Sequence, residues 1–306
     1  GHCASEGWCM MSRKQFGFPS DESFSSDEKR GDAMVATPSE VMTVVAARML
    51  QERTVCFVGI GIPSKAANLA RLTHAPQAVL IYESGTIGTR PSVLPLSIGD
   101  GELALTADTV VSTSEIFSYW LQGGRVELGF LGAAQVDRYA NLNSTVIGNY
   151  QSPKVRLPGA GGAPEIAAQA KETLIIINHD RRKLVEKVDF ITSAGYLDGG
   201  DSRERAGLKT GGPTAVITDL CVLRPEFQTR ELVVTQLHPG VTRQTVAEAT
   251  GWDVRFAEDL TQTQVPSDLE LSTLRELERQ TALAHSDDSA GKTYLTRNNP
   301  TAEVTR

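Results

Sequence analysis

The feature that most constrains this chain is a strand–helix–strand unit between Val55 and Glu83. Val55-Cys56-Phe57-Val58 is a short apolar run without polar alternation, which predicts a strand buried on both faces. It ends at Gly59. Pro63 stands where a helix opens, because the first helical turn has no partner for the N–H that proline lacks. Ala66, Ala67, Leu69, Ala70 and Leu72 continue that helix. Ala78-Val79-Leu80-Ile81-Tyr82 is a second buried strand, and Glu83 ends it. The unit takes about thirty residues, which suits a crossover between parallel strands.

The alternation continues along the chain. Apolar residues from Val41 to Leu50 recur at helical spacing, with Ser39 as N-cap and Glu40 following it. Ser114 to Leu121 reads as a helix that stops at Gly123-Gly124. Val126 to Leu131, Leu174 to Ile177, Phe190-Ile191-Thr192, Ala215 to Thr218 and Leu232 to Thr235 read as strands. Thr242 to Thr250 reads as a helix stopped by Gly251, and Leu269 to Ala284 as a final helix. The expectation is an open α/β fold, a mainly parallel sheet flanked by helices. Residues 132–162 differ, being rich in Asn, Gly and Pro. An irregular segment that long inside a compact domain usually carries function. The folded domain is expected over residues 39–285. Residues 1–38 are expected to form a disordered extension, from their Ser, Asp, Glu and Lys content, and residues 286–306 a disordered tail.

A formal net charge of −7 argues against a nucleic-acid partner, which needs a basic face. The longest apolar runs, such as Leu174 to Ile177, are far too short to span a bilayer. Of the four cysteines, Cys3 and Cys9 fall in the extension. Cys56 and Cys221 sit in apolar runs and read as buried thiols. With no apolar segment resembling a signal peptide, they point to a reducing cytoplasm. His74, His179 and His238 lack metal spacing and read as structural.

Three motifs carry the chemistry. Gly59-Ile60-Gly61-Ile62-Pro63 follows a strand and opens a helix, so its N–H groups can face an anion. Its rival reading is a dinucleotide fingerprint, with an acid about twenty residues on. Glu83 falls near that distance, but Ser64 stands where the third glycine belongs and Pro63 interrupts the turn. Glu83 itself lies at the C-terminal end of a buried strand, the sheet edge where open α/β folds bind ligands. Desolvation there would raise its nucleophilicity. The plainer reading is a loop carboxylate that caps an N–H or pairs with Arg90. Pro158-Gly159-Ala160-Gly161-Gly162-Ala163 can cradle a pantetheine arm or a phosphate without side-chain clashes, or it is a packing turn. Arg181-Arg182-Lys183 reads as a solvated basic turn, and Asp137, Asn141 and Asn143 as residues that order a loop by local hydrogen bonds.

Together and in this order, these motifs resemble the β subunits of class I CoA-transferases, from about Ser39 to His285. Phe57-Val58-Gly59-Ile60-Gly61-Ile62-Pro63, Tyr82-Glu83-Ser84-Gly85 and the run Asn141 to Gly148 carry the resemblance, with Lys154 to Gly162 adding to it. The Glu-Ser-Gly form is similar to the glutaconate CoA-transferase branch. Ser64 to Leu72, Leu94 to Leu103, Phe117 to Gly124, Thr218-Asp219-Leu220-Cys221 and Leu237 to Thr242 bring it nearest to the 3-oxoadipate group within that branch.

The resemblance implies that Glu83 is the acyl-accepting glutamate. Gly59, Gly61 and Pro63 would stabilise oxyanions, and Ser84 and Gly85 would stand beside the substrate. The glycine loop, through Gly159, Gly161 and Gly162, would line the CoA path. It implies no cofactor and no metal, only coenzyme A esters as substrates. It further implies an α-subunit partner in a higher αβ oligomer, with succinyl-CoA and a 3-oxo dicarboxylic acid exchanged. Alternatives are a glutaconate or other 3-oxoacid transferase, and a non-catalytic sensor of CoA esters or sugar phosphates. Ala140 departs from the pattern, because relatives place glycine there. The turn at Tyr139-Ala140-Asn141 is expected to need a positive φ that strains alanine.

Overall fold

The computed structural model describes residues 34–297, with side chains to residue 286. Residues 1–33 and 298–306, with Cys3 and Cys9, lie outside the described residues, and so do most of the expected extension and part of the expected tail.

In chain order the first elements are α1 (Pro38–Ala47), β1 (Val55–Phe57), α2 (Ile62–Leu72), β2 (Val79–Ile81), β3 (Thr86–Ile87), α3 (Gly101–Leu105) and β4 (Thr109–Val110). A single turn, α4 (Thr113–Glu115), runs into a π-helix (Ile116–Leu121). Then come β5 (Leu128–Leu131), β6 (Gln135–Asp137), β7 (Leu142–Asn143), β8 (Val146–Gly148), β9 (Pro153–Arg156), α5 (Ala163–Gln169), β10 (Glu172–Ile176) and β11 (Leu184–Val185). The last are α6 (Ser202–Arg205), β12 (Pro213–Ile217), β13 (Cys221–Pro225), β14 (Leu232–Leu237), α7 (Arg243–Ala249), β15 (Arg255–Gln262) and α8 (Asp268–Arg297).

The main sheet has ten strands in the order β15-β14-β13-β12-β10-β5-β1-β2-β3-β4. Its centre, from β12 to β2, is parallel throughout. Antiparallel β3 and β4 extend one side, and antiparallel β13 and β14 the other. The expected mainly parallel α/β sheet is therefore present.

Each central strand is buried on both faces, so successive residues enter different layers. Cys56, Val58, Leu80, Tyr82, Leu174 and Ile176 face the layer of α1, α2 and α8. Phe57, Ile81, Leu131, Ile175 and Val216 face the layer of α5, α7 and the π-helix. This two-sided burial is why the strands read as unbroken apolar runs.

Several expectations need correction. The N-cap of α1 is Thr37, not Ser39. Thr37 Oγ1 accepts the Glu40 N–H (3.2 Å), and the Glu40 carboxylate accepts the Thr37 N–H (2.7 Å). Pro38 takes the first helical position, where its missing N–H does no harm. Phe190-Ile191-Thr192 is not a strand. The Thr192 and Ser193 N–H groups both donate to the Leu142 carbonyl (2.8 and 3.1 Å), and Phe190 stacks on Tyr150 at 5.3 Å. This short run packs as an arm on the Asn-rich segment instead of joining the sheet. Residues 132–162 are not structureless, since they supply β6 and β7, which pair with β11 in a small three-stranded sheet, and the two-stranded sheet β8-β9. β15, with its sequence RFAEDLTQ, gave no apolar signal because it is a sheet edge, where charge is favoured. α8 continues past its expected end at Ala284 to Arg297, across a stretch with no proline and one glycine to break it.

No helix among the described residues is long and apolar enough to cross a membrane. Cys56 and Cys221 are free and buried, and burial pushes the Cys221 thiol up to about 12.

His179 is 9 % exposed and bonds Thr218 Oγ1 and Thr250 Oγ1, both at 3.0 Å. Burial lowers its pKa from 6.5 to about 4. The folded chain therefore resists a proton that the unfolded chain accepts. Its contribution is whole above pH 6.5 and is lost as the pH falls from there toward 4. The full loss is on the order of 3 kcal/mol. Urea denaturation at pH 7 and pH 4.5 is expected to show a clear fall in stability, and His179→Asn, which cannot titrate, is expected to reduce it. An unchanged pH dependence in that variant would refute the assignment.

Candidate active site

β1 and β2 lie side by side in parallel, with Phe57 opposite Ile81. The chain therefore leaves both strands at the same sheet edge, at Gly59 and Glu83. After β2 the chain reverses at once. The Gly85 N–H donates to the Tyr82 carbonyl (3.0 Å), and the Tyr82 N–H donates to the Thr86 carbonyl (3.1 Å). Glu83 and Ser84 occupy the centre of this turn, and Gly85 closes it at φ 102, as in hairpins with a three-residue loop. A β-carbon on Gly85 would lie 1.9 Å from the Val111 carbonyl oxygen. The Val111 N–H donates to the Gly85 carbonyl (2.9 Å), so Gly85 seats the glutamate's turn against the end of β4.

Tyr82 and Glu83 go to opposite layers. The buried Tyr82 hydroxyl meets Ser64 Oγ of α2 at 3.0 Å, and burial raises this phenol to about 12. It stays neutral and acts as a strut. Glu83 is half-buried and turns toward α5, where its Oε1 accepts the Gly162 N–H at 3.0 Å. Arg90 is not its partner, because that guanidinium grips both oxygens of Asp108 at 2.5 and 3.0 Å.

The structure thus joins two motifs far apart in sequence, the glutamate and the glycine loop. Gly162 has a steric reason to lack a side chain. A β-carbon there would lie 2.4 Å from Glu83 Oε1 and 2.4 Å from Phe117 Cζ. Gly159 and Gly161 adopt φ 106 and 51, and a β-carbon on either meets nothing within 4 Å. Gly61, the N-cap of α2 at φ 86, is equally open, and Pro63 is the second residue of that helix. Gly59 is less constrained, since a β-carbon there makes only ordinary 3.8 Å contacts. The Ser84 hydroxyl is buried with no hydrogen-bond partner among the described residues.

The Asn-rich segment carries the glycine loop. The Gly159 N–H donates to the Ser144 carbonyl (2.9 Å) and the Leu157 N–H to the Thr145 carbonyl (3.1 Å). Asn143, fully buried, holds Ser144 and Thr145 in place. Its Oδ1 accepts the Thr145 N–H (3.0 Å), and its Nδ2 donates to Gln135 Oε1 and the Val146 carbonyl, both 2.7 Å. Asn141 Oδ1 accepts the Gly195 and Leu197 N–H groups (2.9 and 3.0 Å), and its Nδ2 donates to Asp137 (3.1 Å). Burial pushes the Asp137 carboxyl above its ordinary range despite these donors. The local-ordering role expected of Asp137, Asn141 and Asn143 is the one observed. Ala140 does sit at φ 60, as the sequence predicted.

Arg182 closes on its neighbour Asp180 at 3.3 Å in the exposed basic turn. Among the described residues no cluster of three His, Cys, Asp or Glu is placed to hold a metal. What the sequence did not reveal is Phe117. Its signal was hidden because helical periodicity assigned Phe117 to an ordinary helix.

The model of the family described as Coenzyme A transferase matches residues 39–249. The chain is 64 % identical over 247 residues to the β subunit of the 3-oxoadipate CoA-transferase of Pseudomonas knackmussii, covering 81 % of this chain and 95 % of that protein. It is 34 % identical to the β subunit of the glutaconate CoA-transferase of Acidaminococcus fermentans, over 71 % of this chain and 84 % of the relative. The crystal structure of glutaconate coenzyme A-transferase from that organism superposes with a TM-score of 0.75 at 31 % identity, covering 80 % of this chain and 95 % of that one. These matches set aside the dinucleotide reading of the Gly59 to Glu83 spacing.

The turn geometry makes a stability prediction. Gly85→Ala drives a methyl group into a backbone carbonyl and is expected to destabilise the fold by about 3 kcal/mol. Gly101→Ala, at the start of α3 with open space around it, is expected to change stability by less than about 1 kcal/mol. Chemical denaturation of both variants checks this, and equal effects would refute it.

Proposed function

The chain belongs to the coenzyme A transferase family, and from that premise we propose that it is the glutamate-bearing subunit of an enzyme that moves CoA from succinyl-CoA to 3-oxoadipate. The observation that carries this reading is the Glu83 carboxylate at the sheet edge, held by the Gly162 N–H at 3.0 Å. The likeness to the β subunit of a 3-oxoadipate CoA-transferase favours that acid over glutaconate. A separate α subunit completes the site, and the αβ unit assembles further. The chain works in the cytoplasm, where its buried thiols stay reduced.

The cycle is ping-pong. One Glu83 oxygen attacks the succinyl thioester carbonyl, the C–S bond breaks, and CoA leaves as thiolate from a mixed anhydride. The thiolate then attacks the glutamyl carbonyl. Succinate departs with the electron pair of the broken C–O bond, leaving a glutamyl-CoA thioester. The carboxylate of 3-oxoadipate attacks that thioester, and the same steps run backward to release 3-oxoadipyl-CoA. Thioester energy is conserved at each exchange, so the chemistry calls for no cofactor beyond the CoA esters themselves.

Each attack places negative charge on a carbonyl oxygen. Backbone N–H groups around Gly61 at the start of α2, where no side chain caps the helix, are suited to receive it. Such a donor is worth about 3–4 kcal/mol where measured elsewhere. Gly159 and Gly161 present bare backbone along which a pantetheine arm lies without clashing, and Ser84 and Gly85 set the floor beside the nucleophile.

Trapping tests the reading. Incubation of the αβ enzyme with succinyl-CoA followed by borohydride is expected to reduce Glu83 alone to an alcohol, located by peptide mass spectrometry. Glu83→Ala is expected to abolish transfer, and Glu83→Asp to raise the ratio of hydrolysis to transfer. Full transfer activity in Glu83→Ala would sink the mechanism, and comparing 3-oxoadipate with glutaconate as acceptor settles the acid.

A further inference from the structure

Phe117 has no task in the cycle described, yet it stands beside the nucleophile for a definite structural reason. Ile116 and Leu121 are both fully buried. In an α-helix residues five apart point roughly 140° away from each other. The π-helix brings them to one face, and the Gln122 N–H bonds the Phe117 carbonyl at 2.9 Å in the i to i+5 pattern. Such π turns recur at functional sites. Pinned at both ends, this turn delivers Phe117 to the edge of the site.

One side of the ring rests on Phe57 of β1, with centroids 5.8 Å apart and planes tilted by 48°. The other side reaches Gly162. A β-carbon on Gly162 would lie 2.4 and 2.8 Å from Phe117 Cζ and Cε1, and 2.4 Å from Glu83 Oε1. Ring edge and carboxylate oxygen therefore converge on the same α-carbon. Phe117 is half-buried, whereas Ile116 is fully enclosed, so the ring keeps part of its surface free. An aromatic edge carries partial positive charge and tolerates a neighbouring anion, but it offers water no hydrogen bond.

We propose that Phe117 decides the fate of the acyl-Glu83 intermediate, by denying water the space next to its carbonyl. This rests on Glu83 being the nucleophile. The glutamyl-CoA thioester has two outlets. In transfer, an acceptor carboxylate attacks the carbonyl and CoA thiolate leaves, to be recaptured by the new anhydride. In hydrolysis, water adds to the same carbonyl, the C–S bond breaks, and CoA leaves as the thiol with one of water's protons, while the other proton goes to solvent and the Glu83 carboxylate is restored. A water molecule needs a small volume and polar partners. The phenyl edge fills the volume and supplies no partner, so the large acceptor, bound elsewhere, wins the competition.

The test is the ratio of succinyl-CoA hydrolysis to CoA transfer in the complex with the α subunit. The ratio does not depend on how much of the chain folds. Phe117→Ala is expected to raise it at least tenfold, and Phe117→Val, which keeps the branched stem, at least threefold. Trp120→Ala removes another partly buried side chain of the same π-helix, serves as the control for a loosened helix, and is expected to stay within twofold of the parent. Ratios within twofold in both Phe117 variants, with Glu83 still labelled by borohydride, would overturn the proposal alone. An equal rise in Trp120→Ala would overturn it too, by tracing the effect to a loosened helix. Absence of the Glu83 label in the parent enzyme would remove the nucleophile reading, and this proposal with it.

Discussion

A strand buried on both faces must send successive residues into opposite layers, and the geometry around Glu83 depends on that constraint. β2 puts Leu80 and Tyr82 under α2 and Ile81 under the π-helix and α5. Tyr82 is tied to Ser64, so the next residue is committed to the other side. That residue is Glu83, and the other side is where Gly162 offers its N–H. A slip of one residue would exchange the two. The carboxylate would then lie beneath α2, and a phenol would face the glycine loop.

The second support is the polar scaffold of residues 132–162. Its buried amides are satisfied almost wholly by backbone groups and by one another, as buried polar groups must be. Asn143 holds the strand that carries Ser144, and Ser144 holds Gly159. The loop that meets Glu83 is therefore set by hydrogen bonds made some distance from the site. The strained Ala140, at φ 60, lies inside this scaffold. It persists because its N–H donates to the Asp137 carbonyl (2.8 Å) and the surrounding network over-determines the turn.

The parts legible in the sequence were those whose signal is local. Two-sided burial writes itself as apolar runs, so β1, β2, β5, β10, β12 and β14 were readable. Gly61 and Pro63 announced the start of α2 by chemistry that only those residues supply. Edge strands carry no such mark. β15 is charged because edges resist pairing with other chains, and the two-residue β3 and β4 are too short to have a period. Phe190-Ile191-Thr192 misled for the converse reason, since it is strand-like in composition but finds its partners in a loop carbonyl and an aromatic ring.

By itself the sequence determined the α/β class, the family resemblance and the placing of Glu83 at a strand end, because periodicity and motif order are properties of neighbours along the chain. It left open whether that glutamate paired with Arg90 or capped an N–H. Tertiary structure decided this by giving Arg90 to Asp108 and Gly162 to Glu83. It also decided what stands beside the carboxylate. Phe117 comes up against Gly162, the residue that bonds Glu83, where one turn of helix widens to bury both Ile116 and Leu121, and that widening serves the core these two pack against.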